Sequence, residues 1–478
     1  MIVTFVVLAH FLIVTAFTIR ILLRDDLVPT TRLAWFIVLM LLPYVGTLVY
    51  FLFGEVNLGK TADTRHTRIF DQIRKKASSA IGTDSVANTT IASPYRPAFH
   101  YAASINGFQT VAGNTAEVMQ DAAHTRRRMI ADIDGARDHV HVLYYIWLND
   151  ETGTEMGKAL IRAAQRGVTC RAIADGMGSR AMIHSSLWRE MKEAGVHLAI
   201  ALPFRNVFRT MITSRLDLRN HRKITVIDGA IGYCGSQNCA DPEFRVKPKY
   251  APWVDIMLRF QGPVVAQNQL LFASDWMQAT DASFDIFTWD TTAHADGFAA
   301  VAMGDGPTER MGATPQLFAT LINCARDHIT LTTPYFVPDA TVFEALCSAA
   351  HRGVRVTLIF PEKNDSWIVA AASRSYYKKL LAAGARIHEF KGGLLHAKTL
   401  TVDDGISLIG SSNLDLRSFD LNYENNILLQ DSAITADIMT RQSHYLSQSD
   451  EVRLSDVLNW SYHNRIWNNV IATIGPIL

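Results

Sequence analysis

Residues 221–238 read HRKITVIDGAIGYCGSQN, and residues 396–413 read HAKTLTVDDGISLIGSSN. Histidine, lysine, aspartate, Gly-Ser and asparagine fall at the same spacings in both, and the copies lie 175 residues apart. A lone H-x-K is a weak signal. Two copies of H-x-K-x-x-x-x-D followed by G-S-x-N, in register in one chain, are a strong one. The runs Ile224–Ile227 and Thr399–Val402 have strand composition, so both motifs are expected on strands. Side chains at i and i+2 of a strand share a face. His221 should then project with Lys223, His396 with Lys398, Ser236 with Asn238, and Ser411 with Asn413. Asp228 and Asp403 stand seven residues after their histidines, on the opposite face of a straight strand, and take a structural or supporting part in the catalytic set.

These residue types suit phosphodiester exchange. That reaction needs a nucleophile, a proton for the leaving alkoxide, and positive charge around the phosphoryl oxygens. Two histidines divide the first two tasks when one starts neutral and the other protonated. Two lysines supply the third, helped by Asn238 and Asn413, with Ser236 and Ser411 as further phosphate donors. Each copy holds only one histidine of the needed pair, so the copies read as two halves of one site. No Asp/Glu cluster has metal-site spacing, so neither metal nor cofactor is expected. A histidine outside such a pattern is usually structural, and His141, His184, His197, His328 and His388 are read that way.

Outward from the motifs, strand-like and helix-like runs alternate. Val140–Trp147, Glu155–Gln165, Thr169–Ile173 and Ser186–Ala194 alternate as strand, helix, strand, helix. The order returns with His328–Phe336, Thr341–His351, Val354–Phe360, Ser373–Ala383 and Ile387–Phe390. QRGV at 165–168 parallels HRGV at 351–354, and EAG at 193–195 parallels AAG at 382–384. The pattern predicts an α/β fold of two similar domains, 101–290 and 291–478. Residues 55–100 are polar, with Ser, Thr, Gly and Pro clustered near 77–97, and are expected to form an irregular linker. The stretch Ala201–Asn220 mixes Phe204, Phe208, Met211 and Ile212 with Arg205, Arg209, Arg215 and Arg219, so it suits either lipid headgroups or a plain surface loop.

Two apolar stretches, about 2–22 and 33–53, open the chain, and the second runs 21 residues without a charge. About 20 apolar residues cross a bilayer as a helix. Residues 1–54 therefore read as a membrane hairpin, with Pro43 as a possible kink. The first stretch lacks the basic start and small-residue cleavage site of a signal peptide. Lys60, Arg65, Arg68, Arg74, Lys75 and Lys76 after the second stretch outnumber Arg20, Arg24 and Arg32 between the two, which favours a cytoplasmic catalytic part. The five cysteines are odd in number and form no C-x-x-C, as expected of free thiols in a reducing compartment. Apolar residues make up 49% and the net charge is +1, which counts against a nucleic-acid partner. The C-terminal stretch Trp467–Leu478 is apolar enough either to touch a membrane or to pack as a terminal helix.

On its paired motif the sequence resembles the phospholipase D superfamily, and more narrowly the bacterial cardiolipin synthases. Further stretches carry the resemblance: LAW at 33–35, LLP at 41–43, YFLFG at 50–54, YYIW at 144–147, DGMGS at 175–179 and PYF at 334–336. The resemblance implies two phospholipase D-like domains in a pseudo-twofold pair, meeting face to face over one site. It implies a phosphohistidine intermediate, with His221 as nucleophile and His396 as general acid, the reverse assignment remaining open. It further implies that a carboxylate downstream of each motif orients a histidine, at Asp255 and Glu424. The implied reaction joins two phosphatidylglycerol molecules into cardiolipin and glycerol at a bacterial inner membrane. Hydrolysis by a phospholipase D, phosphatidylserine synthesis, a nuclease and an inactive lipid-binding scaffold are the competing readings. Oligomeric state is not legible.

Overall fold

The computed structural model describes residues 2–25, 27–54, 60–83, 85–203 and 217–474. The motif strands form at Lys223–Ile227 and Thr399–Val402. Each turns back as an antiparallel hairpin, onto Ile231–Gly235 and Ile406–Gly410. The turns are made by the motif aspartates, with Asp228 at φ 53° and Asp403 at φ 49°. Aspartate visits this left-handed region more readily than most residues because its short side chain bonds locally.

The alternating runs flank these hairpins. In the first half the strands His139–Tyr144, Thr169–Asp175 and His197–Ala201 alternate with helices Glu151–Gln165 and Ser186–Glu193. In the second half the strands His328–Thr332, Arg355–Pro361 and Arg386–Phe390 alternate with helices Ala340–His351 and Trp367–Ala383. Asp150, Ser185, Asp339 and Ser366 cap the four helices with side-chain oxygens, satisfying N–H groups that a first turn leaves open.

The strand order of the two halves is mirrored. From one edge inward it runs His197–Ala201, Thr169–Asp175, His139–Tyr144, Lys223–Ile227, Ile231–Gly235, Met257–Gln261, Val111–Val118. From the other side, inside the added edge strand Ser449–Val452, it runs Arg386–Phe390, Arg355–Pro361, His328–Thr332, Thr399–Val402, Ile406–Gly410, Asn422–Gln430, Phe298–Asp305. Val111–Val118 pairs antiparallel with Phe298–Asp305. The halves therefore join edge to edge in one continuous sheet, not face to face. Joining them satisfies two strand edges that would otherwise lie open. Two short parallel pairings also cross between the halves: Arg219–Asn220 with Asn422–Tyr423, and Trp253–Val254 with Leu394–Leu395.

The expected irregular linker is largely helical where it is described. Helices cover Lys60–Lys76, Ser78–Ile81, Ser85–Thr90 and Arg96–Asn106. Ile69, Phe70, Ile73 and Ala77 recur at helical spacing and are buried in the main core. The Ser and Thr cluster hid that stripe. The lipid-facing candidates Phe204 to Arg215 lie outside the described residues.

The N-terminal expectation also needs correction. Helix α1 runs Ile2–Leu22, but the second stretch is divided into α2, Pro29–Leu41, and α3, Pro43–Phe53. Leu42 leaves the helical region, at φ −134° and ψ 64°, because a proline at 43 cannot donate the N–H that would continue α2. At about 1.5 Å per residue, neither piece reaches the ~30 Å of a hydrocarbon core. Among the described residues, no helix is long and apolar enough to cross a membrane. These helices nonetheless turn Phe11, Leu12, Leu33, Leu41, Val45 and Leu48 outward, each more than half exposed. Among the described residues they bury Val14 and a small cluster of Ile21, Trp35, Leu39 and Tyr50.

Candidate active site

The two motifs meet where the halves join. His221 lies between the short strand Arg219–Asn220 and the strand that starts at Lys223. His396 lies between Leu394–Leu395 and Thr399–Val402. Both histidines thus sit in extended chain just ahead of the expected strands. Each is held in place by a cross-half pairing, and both are buried.

Each histidine is oriented by a carboxylate from the other half. His221 Nδ1 lies 2.8 Å from Glu424 Oε2, and His396 Nδ1 lies 2.7 Å from Asp255 Oδ1. A carboxylate only accepts hydrogen bonds, so Nδ1 carries the proton and Nε2 is left free on each ring. Ser411 donates to Glu424, and Ser236 Oγ donates to Asp255 Oδ1 at 2.6 Å. The sequence reading gave these serines to the phosphate. Their single hydroxyl hydrogens are spent on the carboxylates, which makes them orienting groups.

The lysines are buried too. Lys223 Nζ donates to the His221 carbonyl at 2.7 Å, and Lys398 Nζ to the His396 carbonyl at 2.6 Å. Each ammonium keeps two further donors. Burial pushes Lys223 down to about 8 and Lys398 down to about 7, against the pull of Glu424 and Asp255. Burial likewise takes both histidines down to about 4, opposed by their carboxylates. For Asp255 burial works upward, but His396, Lys398 and Ser236 outweigh it and hold the carboxyl at about 2. Glu424 is lowered by the same balance, with His221, Lys223 and Ser411 as its partners. The site thus concentrates carboxylates that are ionised, histidines that are neutral when it is empty, and lysines poised to gain a charge when an anion enters.

Asn238 accepts from the Ile146 N–H at 3.3 Å, while its buried Nδ2 has no hydrogen-bond partner among the described residues. Such a donor calls for an acceptor. Asn413 gives one N–H to Ser418 Oγ at 3.1 Å. Asp228 and Asp403 do not reach the chemistry. Asp228 accepts the N–H groups of Arg137, Asp138 and His139 at 2.8–3.0 Å. Asp403 accepts those of Arg326, Asp327 and His328, and the Tyr95 hydroxyl. Both tie a hairpin turn to the start of a neighbouring strand, so their place in the motif is structural and the catalytic set loses them.

Aromatic rings wall the site. Tyr145 packs edge-on against His221, with ring centroids 4.8 Å apart. Trp253 lies 4.5 Å from His396 and stacks on Phe244 at 4.0 Å. Sequence reasoning gave these rings no role. It also passed over Arg222, which bonds the Glu424 carbonyl at 3.0 Å and forms a buried ion pair with Asp275 at 2.9 Å. The signal was present: Arg222 stands where the second motif has Ala397.

Comparison with known proteins adds the family. The family described as "Cardiolipin synthase, PLD-like domain" matches residues 129–267 and 318–445. The one described as "Phospholipase_D-nuclease N-terminal" matches residues 12–55. "Cardiolipin synthase A" of Yersinia pseudotuberculosis serotype O:1b (strain IP 31758) is 35% identical over 477 residues, covering 97% of this chain and 95% of that protein. The protein of the same name from Yersinia pestis bv. Antiqua (strain Angola) matches equally. Among solved structures, phosphatidylserine synthase of Haemophilus influenzae Rd KW20 superposes with a TM-score of 0.59 at 13% identity. It covers 80% of this chain and 100% of that one, a likeness of fold.

Proposed function

Because the chain belongs to the cardiolipin synthase family of phospholipase D-like proteins, we propose that it is a phosphatidyltransferase that joins two phosphatidylglycerol molecules into cardiolipin and glycerol. The observation that carries this reading is the crossed pair of dyads, His221 with Glu424 and His396 with Asp255. Two histidines with free Nε2 atoms, each set by the opposite half, are what a two-step exchange at one phosphorus requires.

In the first step Nε2 of His221 attacks the phosphorus of one phosphatidylglycerol. The P–O bond to glycerol breaks, and the glycerol alkoxide takes a proton from Nε2 of His396. In the second step neutral His396 removes the proton from the terminal hydroxyl of a second phosphatidylglycerol. That oxygen attacks the phosphohistidine, the P–N bond breaks, and His221 is restored. His396 must be protonated at the start. The phosphodiester supplies the charge for this, because an anion beside a buried imidazole raises its pKa. Glu424 and Asp255 stabilise the imidazolium forms, Ser411 and Ser236 hold the carboxylates, and Lys223, Lys398, Asn238 and Asn413 face the phosphoryl oxygens.

The halves 101–290 and 291–478 are proposed as the two functional domains. The outward apolar faces of α1–α3 are the membrane-associating part. The membrane is proposed to be the bacterial inner membrane with the site on its cytoplasmic side, which the basic residues after α3 support.

Purified protein given phosphatidylglycerol in detergent is expected to release cardiolipin and glycerol in equal amounts. Phosphatidic acid as the sole lipid product would make the protein a hydrolase instead. A second expectation concerns charge. Anion binding needs Lys398 and Lys223 protonated, and their values near 7 and 8 are those of the empty site. Affinity is therefore full below about pH 7 and is lost as pH rises through both values, at about tenfold per unit for each proton lost. Sulfate, whose own charge is constant over this range, should inhibit at least ~10-fold less well at pH 9 than at pH 6.5. A flat inhibition profile would remove the lysines from the anion site.

A further inference from the structure

The C-terminal helix Tyr462–Ile474 spends its apolar residues on the wrong side for a packed terminal helix. Ile471 and Asn468 are buried, with Ile471 against Ala371 and Ala372 of helix Trp367–Ala383. Tyr462, Ile466, Trp467 and Val470 share the other side and are 79%, 62%, 51% and 48% exposed. Trp367, 61% exposed, stacks on Trp467 with centroids 5.9 Å apart and planes 17° apart. Monomeric proteins seldom leave such a contiguous patch open without a use for it.

The patch adjoins the candidate site. Two residues before Trp367, Asp365 accepts from the Tyr335 hydroxyl at 2.6 Å and from Lys247 Nζ at 2.7 Å. Tyr335 is within electrostatic reach of Tyr145, the ring that packs on His221. Lys247 belongs to an exposed loop with Val246, 64% exposed, at its middle. That loop leaves Phe244, which stacks on Trp253, which lies against His396. Trp367, the helix face and the Val246 loop are thus tied, through Asp365, Lys247, Phe244 and Trp253, to the wall of the site at His396.

Charge selects the occupant. The helix Tyr462–Ile474 holds Arg465 and no acidic residue. The loop carries Arg245 and Lys249, besides Lys247 whose charge is met by Asp365, against Glu243. Tryptophan and tyrosine among aliphatic residues, rimmed by arginine and lysine, form the side-chain set that lies at the boundary of an anionic bilayer. We infer that Val246, Trp367, Tyr462, Ile466, Trp467 and Val470 form a docking surface for an anionic lipid headgroup layer, separate from α1–α3, that seats the site mouth on the bilayer. The inference rests on the lipid-substrate reading of the site. It assigns the chain a second membrane contact whose job is to deliver substrate, while α1–α3 retain the protein.

Two measurements on the full-length protein test it. The first needs no turnover. In reconstituted vesicles of brominated phosphatidylglycerol and phosphatidylcholine, the Trp367→Phe/Trp467→Phe protein is expected to lose a distinct share of the quenching that the unaltered protein shows. Equal fractional quenching would overturn the docking surface even if the enzyme were active. The second uses Trp367→Ser/Ile466→Ser/Trp467→Ser in mixed micelles. The mole fraction of phosphatidylglycerol giving half-maximal rate should rise about tenfold. The saturating rate, the rate on short-chain monomeric phosphatidylglycerol and the melting temperature should stay unchanged. Arg245→Gln/Lys249→Gln should shift the same mole fraction in low salt and much less in high salt. A parallel loss on monomeric substrate would make the patch part of the folded site, and an altered mass in detergent would make it a contact between copies. Either result overturns the inference. Absence of cardiolipin from the unaltered protein, with the quenching difference intact, would strike the proposed reaction and leave the surface standing.

Discussion

His221→Ala and His396→Ala each abolish cardiolipin formation, by at least ~10⁴-fold, and the double variant falls little further than either single one. The argument is that of one site with divided labour. Without His221 no phosphohistidine forms, and the hydroxyl beside Glu424, that of Ser411, is spent on the carboxylate. Without His396 the glycerol oxygen must leave as an alkoxide, and the incoming hydroxyl has no base. Both losses block the same exchange, so removing the second group from an already blocked site costs little more. Two independent sites would behave otherwise. Each single variant would then keep about half the rate, and only the double variant would be dead. Measured kcat/KM for the three proteins separates these cases. Each alanine also takes the buried histidine partner from a carboxylate of the other half, so the melting temperature should fall, and the rates are compared at a temperature where all three variants are folded. Retention of near-normal turnover by either single variant would end the shared-site reading.

The sequence made the motifs legible because chemistry constrained them twice. His221 and His396 repeat in register, and that repeat alone indicates that two halves share a task. The α/β alternation was legible for the same reason, since both halves obey one pattern of strand and helix. What stayed hidden depends on contacts distant in the chain. The resemblance named Glu424 and Asp255 as orienting carboxylates, but nothing local in HRKITVID says that Glu424, 203 residues later, will serve His221 and not the histidine of its own half. Nothing local says that Ser236 will serve Asp255, not a phosphate. The aspartates, read from the sequence as structural or supporting, show the other side of the same rule. Asp228 and Asp403 repeat as faithfully as the histidines, yet the repeat reflects a shared turn at φ near +50° and a shared set of backbone N–H groups. Register therefore marks what two halves have in common, whether chemistry or architecture. The 55–100 segment was misread because its buried stripe, Ile69 to Ala77, is short and surrounded by Ser and Thr. The division at Leu42–Pro43 was anticipated only as a bend, whereas the missing proline donor ends one helix and starts another.

The crossed carboxylates carry the sharpest consequence. Glu424→Gln and Asp255→Asn should each lower kcat by a factor on the order of 10²–10⁴ with little change in KM. The amide keeps the shape of the carboxylate but removes the charge that stabilises an imidazolium. It can also donate where the carboxylate only accepts, which favours the wrong tautomer. The two variants should then part company on a substrate whose leaving group is acidic enough to depart without a proton, such as a phosphatidyl nitrophenol. Asp255 acts on His396, which protonates the leaving oxygen. With nitrophenolate leaving, that proton is not needed, so Asp255→Asn and His396→Ala should retain a burst of nitrophenolate as the phosphohistidine forms. Glu424 acts on His221, the attacking group. Glu424→Gln should therefore show a much slower burst, and His221→Ala none. Each carboxylate is thus expected to sort with the histidine of the opposite half. Sorting of Asp255→Asn with His221→Ala would mean that each half orients its own histidine. Retention of the burst in His221→Ala but not in His396→Ala would exchange the two roles and leave the crossing intact. The burst assay therefore reads the pairing and the direction of catalysis separately.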